Sequence, residues 1–435
     1  MSGICRWAQA VRLLGLALLT VVGILLTPAT VWAGPVLPEP VAIIQPDGSV
    51  IQAVPFGDEW DNGYETLDGF TIVRDDASGF WFYAIGDGEG RLISSGLLPG
   101  RDAPDGVTPH LRSTNVFAPN RFSISAQRAD GLMGATGNQA VLVLLTSFSN
   151  QGPVGSTPAQ WSSLFFAPTG SIKHYYQEVS YGQLTLLPAA ESQGTVNDGV
   201  IGWLNLGYPH PNTGGSTGDA NRRIVRDALL AADPFINFAT YDTNHDGYIA
   251  AHELHLVVIV AGYEASYGGA ALSCTPSVWA HHWSLSGAVP APMLDGVLVG
   301  SYAGGYSQVG EWHCRFGDNP GHMGTMGQTV HELGHDIGWP DLYDVDGSSY
   351  GVGYYSIMAN GSWRRTAGYA GSLPSHPDAF LKWYQGWLTP EQIVGTRTDV
   401  QLRQVETNPL ASVNTFSWRI ANRWATTPVC PAAVS

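Results

Sequence analysis

The run His331-Glu332-Leu333-Gly334-His335-Asp336-Ile337-Gly338-Trp339-Pro340-Asp341 decides how the rest of the chain is read. Two histidines four residues apart fall on one face of a helix, close enough to share one ion. Glu332 lies one step round, placed to polarise a water at that ion and not to ligate it. Gly338 stands where the helix should end, and a residue without Cβ readily takes the left-handed conformation that turns the chain. Trp339-Pro340 then leads to Asp341, which can swing back. Zinc in hydrolytic sites takes three protein ligands and keeps one position open. The expected set is therefore His331, His335 and Asp341, with Glu332 as general base. A rival geometry takes its third ligand from a Glu on a later helix, but no Glu occurs between Glu332 and Glu391. Asp344 and Asp346 stay open as substitutes for Asp341 or as partners for a second ion.

Downstream, Ser356-Ile357-Met358-Ala359-Asn360-Gly361-Ser362-Trp363 places Met358 in a tight turn, where it would form an apolar floor below the metal. Upstream, Gln139-Ala140-Val141-Leu142-Val143-Leu144-Leu145 suits a buried strand, and Leu256-Val257-Val258-Ile259-Val260 a central one. Residues 172–179, 221–232, 326–337 and 380–387 have helical spacing, and Pro340 stops the third of these. Leu184-Thr185-Leu186-Leu187 is a further strand. In residues 36–110, Val41-Ala42-Ile43-Ile44, Thr71-Ile72-Val73 and Phe80-Trp81-Phe82-Tyr83-Ala84 are short strands. Gln45-Pro46-Asp47-Gly48, Asp68-Gly69 and Gly86-Asp87-Gly88 punctuate them as turns. The expected division is a signal peptide over 1–33, a β-rich domain over 34–110, a linker over 111–138, a main α+β domain over 139–395 and a weakly β segment over 396–435. The main domain is expected to hold a mixed sheet and the active-site helix.

Bulk properties narrow the function further. Of 435 residues, 44% are hydrophobic and 13% charged, so the chain can bury a real core. A formal net charge of -16 repels phosphate backbones and argues against nucleic-acid partners. Arg6 and Arg12 precede an apolar run over residues 13–26, and Val31-Trp32-Ala33 offers a cleavage point after Ala33. That run is short for a membrane span, so a secreted protein without a stable membrane anchor is expected. Cys5 leaves with the signal. Cys274 and Cys314 are then candidates for a disulfide, with Cys430 left over.

A second metal pattern occupies Asp242-Thr243-Asn244-His245-Asp246-Gly247-Tyr248-Ile249-Ala250-Ala251-His252-Glu253. Asp242, Asn244, Asp246 and Glu253 fall at positions 1, 3, 5 and 12 of a calcium loop, Gly247 at the turn position, and Tyr248 would give its carbonyl. An ordinary Asp/Asn/Gly surface turn is the alternative. His281, His282, His313 and His322 are read as structural. Tyr354 and Tyr355 precede the Met358 turn, where one could meet a developing oxyanion, though aromatic core is the simpler role. No Gly-x-Ser-x-Gly nucleophile elbow occurs.

The segment from His331 to Asp344, followed by Ser356-Ile357-Met358, resembles the immune inhibitor A family of secreted bacterial metalloproteases, relatives of the metzincins. Ser180-Tyr181-Gly182, Ile259-Val260-Ala261-Gly262-Tyr263-Glu264 and Trp279-Ala280-His281 resemble its catalytic domain. Gln45-Pro46-Asp47-Gly48, Gly57-Asp58-Glu59 and Asp68-Gly69-Phe70 resemble its propeptide. Asp341 stands where metzincins usually carry His. The resemblance implies a metzincin-like fold, a β-rich propeptide ahead of it, and a zinc endopeptidase acting on proteins or peptides, with structural calcium as an addition. The rival classes are a secreted binding protein with a non-catalytic metal site and a calcium-stabilised adhesion module.

Overall fold

Strands β8 (Gly137–Ser147) and β11 (Leu254–Glu264) lie side by side in parallel register, Leu254 opposite Ala140 and Val260 opposite Thr146. Their alternation explains the unbroken apolar runs. Val141, Val143, Leu145, Val257 and Ile259 enter one core, while Leu142, Leu144, Leu256, Val258 and Val260 enter another on the opposite face. A parallel sheet covered on both faces has no polar side to show.

The computed structural model describes residues 32–114, 134–215, 218–315, 318, 320–344, 349, 351–392 and 416–417. The apolar run of the leader, Cys5, Cys430, Asp346, most of the expected linker and most of the C-terminal segment lie outside the described residues. Around β8 and β11 a nine-stranded mixed sheet forms. Its path runs from β1 (Trp32–Ala33) through β13 (His281–Trp283), β16 (Tyr306–His313), β11 and β8 to β10 (Val200–Asn205). The β1–β13 and β13–β16 pairs are antiparallel, whereas β16, β11, β8 and β10 run parallel. Helix α3 (Asp219–Ala232) covers one face through Ile224, Val225, Ala228 and Leu229. The other face receives α1 (Pro158–Phe166), α2 (Ile172–Val179) and α4 (Met326–Asp336).

Local chemistry marks the helix starts. Thr157 and Gln160 form a reciprocal capping box at α1, with Pro158 in the first turn. The Ser171 hydroxyl accepts from the His174 amide at α2, and Asp378 caps α5 (Ala379–Tyr384). Helix α5 is shorter than the spacing over 380–387 suggests, because Gly386 has φ +76° and ends it.

A separate six-stranded antiparallel meander comprises β2 (Val41–Ile44), β3 (Val50–Gly57), β4 (Asn62–Thr66), β5 (Thr71–Arg74), β6 (Trp81–Gly86) and β7 (Leu92–Ser94). It has its own core of Val41, Ile43, Ile51, Tyr64, Ile72, Trp81 and Tyr83. Val36 and Leu37 precede this sheet but are buried against the larger unit, with Trp279 and Trp363 respectively. Cys274 and Cys314 are joined by a disulfide. Among the described residues no helix is long and apolar enough to cross a membrane.

Candidate metal centre

Every residue of α4 is buried, and Val330 and Leu333 turn into the same core as Val257, Ile259 and Val309. Gly334 lets the helix sit directly on its floor. A Cβ there would stand 2.6 Å from Met358 Sδ and 2.8 Å from the Trp339 ring. Met358 is fully buried, so the turn that carries it lies beneath α4.

Beyond α4 the chain reverses. Gly338 has φ +91°, and the amides of Gly338 and Trp339 close on the carbonyls of His335 and Gly334 at 2.8 and 2.9 Å. The turn delivers Asp341 to the two imidazoles. Asp341 Oδ1 lies 3.2 Å from His331 Nε2 and 3.2 Å from His335 Nε2, and the two Nε2 atoms are 3.1 Å apart. Among the described residues this is the one group of three or more His, Cys, Asp or Glu side chains whose ligand atoms converge.

Hydrogen bonds on the far side of each ring set the tautomer. His331 Nδ1 lies 2.9 Å from the Ile357 carbonyl and His335 Nδ1 2.8 Å from the Trp339 carbonyl. A carbonyl only accepts, so each Nδ1 carries the proton and each Nε2 presents a lone pair. Two lone pairs and a carboxylate oxygen thus face one point, an arrangement that a cation reconciles. A tetrahedral zinc with bonds of about 2.0–2.1 Å spaces its ligand atoms roughly 3.3–3.4 Å apart. The donor set and its spacing fit that ion.

The electrostatics follow from burial. Burial alone would raise the Asp341 carboxyl, but the facing His335 and His331 rings outweigh it and hold it at about 2. Burial lowers His335, against the pull of Asp341. The Glu332 carboxyl is pushed well up, by burial first and then by the charges of Asp341, Glu59 and Glu264; the Gly34 amide opposes the shift.

The other expected residues are placed as follows. Asp344 accepts from the Ser349 amide and lines a cavity of about 420 Å³ between the two units, so it does not join His331, His335 and Asp341. Asp336 turns the other way and pairs with His255 at 2.5 Å. In the loop proposed for calcium, Asp242 accepts from the amides of Asp246 and Gly247, and Asn244 Oδ1 from Asp246. Glu253 accepts from the Thr243, Asn244 and Ala250 amides. Asp246 accepts from the Tyr248 amide. The loop's carboxylates therefore hold its backbone without converging as closely as the three ligands do.

His281, His313 and His322 are buried. Tyr354 and Tyr355 are not aromatic core: they are 45% and 87% exposed, because the short turn over Gly353–Tyr355 stands on the surface. The tyrosine at the metal site is Tyr343. Its ring stacks on His331 with centroids 6.4 Å apart, and its hydroxyl donates to Asp58 Oδ2 at 3.2 Å. No feature of the sequence singled it out. Gly34 was equally illegible: an ideal Cβ there would stand 2.9 Å from Glu332 Oε1 and 2.8 Å from Gln328 Nε2, so the N-terminal stretch passes directly over Glu332.

A helix-borne histidine pair, a carboxylate returned by a glycine turn and a buried glutamate beside them define a metallopeptidase-type centre. Residues 162–388, just over half of the chain, match the immune inhibitor A peptidase M6 catalytic domain, and the chain belongs to that family. It is 31% identical over 215 residues to Immune inhibitor A of Bacillus thuringiensis subsp. alesti, covering 44% of this chain and 28% of that protein. It is 29% identical over 266 residues to Pre-pro-metalloprotease PrtV of Vibrio cholerae serotype O1 (strain M66-2), covering 53% of this chain and 26% of that protein. The matched stretch spans little more than a quarter of these relatives.

Proposed function

We propose that the protein is a secreted zinc endopeptidase of metzincin-like type, cleaving peptide bonds in proteins. The observation that carries this reading is the convergence of His331 Nε2, His335 Nε2 and Asp341 Oδ1 beside the buried Glu332 carboxylate. Zinc held by these three residues would supply Lewis-acid polarisation of the carbonyl and of the attacking water. Glu332 then takes the water's proton as it adds to the carbonyl carbon, and passes that proton to the departing nitrogen as the C–N bond breaks. Met358 and Gly334 fix the floor, and the Ile357 and Trp339 carbonyls orient the ligand rings.

Residues 36 to about 130 act in this reading as a propeptide. Two contacts support it: Gly34 lies over Glu332, and Asp58 of the meander holds the Tyr343 hydroxyl. The Asp242–Glu253 loop is proposed to bind a structural calcium ion, supported by its ligand spacing and by the turn at Gly247, which has φ +82°. Secretion is supported by the leader pattern ahead of Gly34.

The test compares the wild-type chain with Glu332→Gln, each with and without a chelator. Casein clearance by the wild type after N-terminal processing, lost on chelation, is expected. The variant should bind one equivalent of zinc and clear no casein. Full clearance by Glu332→Gln removes the mechanism.

A further inference from the structure

Residues 34–39 lie along the larger unit, and most of the groups that hold them belong to that unit; the Val36 amide instead donates to the Gly57 carbonyl of the meander at 2.9 Å. Trp279 Nε1 donates to the Gly34 carbonyl at 2.9 Å. Gln328 Nε2 and Trp363 Nε1 both donate to the Pro35 carbonyl, at 3.3 and 2.8 Å. The Leu37 amide donates to the Ser266 carbonyl at 2.7 Å. On the side of the stretch these bonds engage only main chain, so they do not depend on its side chains.

Side-chain discrimination begins beyond Gly34. Leu37 is 1% exposed and is enclosed by Tyr267, Trp363 and Ala370. The pocket walls are packed on one another: Tyr267 stacks on His313 at 4.7 Å, and His313 in turn meets Trp363 at 5.5 Å. Two residues on, Glu39 meets Arg365 at 2.8 Å and Arg315 at 3.8 Å. The Arg315 guanidinium also lies 5.1 Å over the Tyr267 ring, so the pocket wall and the basic pair form one surface.

We propose that this surface is the specificity site of the peptidase. The Tyr267–Trp363–Ala370 pocket selects a large aliphatic side chain three residues after the one lying over Glu332. Arg315 and Arg365 select a carboxylate two residues further on. The proposal rests on the peptidase reading of the Glu332 site. The apolar pocket is closed to water, whereas the arginines are partly exposed, so the aliphatic preference is the stronger of the two.

The test uses the full chain carrying Leu37→Asp, which removes the apolar side chain that fills the pocket and sets a charge against its apolar walls, and Glu332→Gln, which prevents turnover. The probe is a fluorescently labelled, acetylated Gly-Pro-Val-Leu-Pro-Glu peptide, read by anisotropy against two variants of itself, one with Ala for Leu and one with Gln for Glu. Tenfold or tighter binding over the Ala peptide is expected, and about threefold over the Gln peptide. Affinities within twofold across the three peptides, or no binding, overturn the proposal. A second measurement keeps Glu332 and the native stretch: hydrogen exchange of the Leu37 amide should quicken at least tenfold in Leu37→Ala and return to within threefold of wild type in Leu37→Met. Unchanged exchange in Leu37→Ala also overturns it. Neither readout needs turnover, so the two failures are told apart: loss of casein clearance removes the peptidase reading and the specificity role with it, whereas loss of peptide selectivity removes this proposal alone.

Discussion

Gly338→Ala isolates the turn that brings Asp341, the proposed third ligand, to the two imidazoles. The position has φ +91°, and its nearest neighbour to an added Cβ is the Tyr384 ring at 3.8 Å. Space is therefore not the obstacle; the backbone conformation is. A left-handed conformation costs a non-glycine residue roughly 1–2 kcal/mol. Stiffening of the unfolded chain recovers about 0.4–1 kcal/mol only where the native conformation suits alanine, which it does not here. The expected net loss is about 1–2 kcal/mol, a fall in Tm of roughly 2–8 °C for a unit of this size. The alanine can relieve the strain by rotating φ toward negative values, but that carries Asp341 away from the two Nε2 atoms, now 3.2 Å distant. Zinc affinity, measured by competition with a chromophoric chelator, should then fall at least tenfold, while Gly338→Asn, which tolerates the left-handed region, keeps most of it. Equal zinc affinity and equal Tm in wild type and Gly338→Ala would refute the claim that a positive φ sets the third ligand.

Four other outcomes are expected. Met358→Ala opens a cavity under Gly334 in a fully buried site, and urea titration should show a loss of about 2–5 kcal/mol; a loss below half that would mean the floor collapses onto the gap. The Cys274–Cys314 bond spans a sequence separation of 40, so the double Ser variant should lose up to about 4 kcal/mol of stability to unfolding, read in the same titration. Burial pushes His281 down to about 4, so the folded protein takes up its proton later than the unfolded chain. Stability should therefore fall as pH drops from about 6.5 toward 4, by on the order of 3 kcal/mol from this group, and His281→Gln should flatten that slope. Glu253→Ala leaves the Thr243, Asn244 and Ala250 amides without their acceptor, and should cost about 1–3 kcal/mol and abolish any rise in Tm on adding calcium.

Much of the site was legible because its logic is local. The four-residue spacing of His331 and His335 follows from helix periodicity alone, and Gly338 before Asp341 follows from the one conformation that glycine takes without penalty. The two buried central strands were legible too, since a strand covered on both faces must be apolar throughout. The ends of elements were less so: helix α5 stops at Tyr384 because Gly386 turns the chain, against an apolar pattern that runs on.

What sequence could not carry is anything that depends on distant segments meeting. Tyr343 stacked on His331 and hooked by Asp58, Gly34 lying over Glu332, and Leu37 enclosed by Tyr267 and Trp363 all join residues far apart in the chain. No periodicity encodes such pairs, because the packing of the meander against the larger unit creates them. The chain's own order thus determined which side chains the candidate site gathers from one segment: the histidine pair, the glutamate between them and the aspartate after the glycine turn. Tertiary structure alone decided what lies over that chemistry and which side chains a peptide would meet there, since only folding brings residues 34–39 to the helix that carries Glu332.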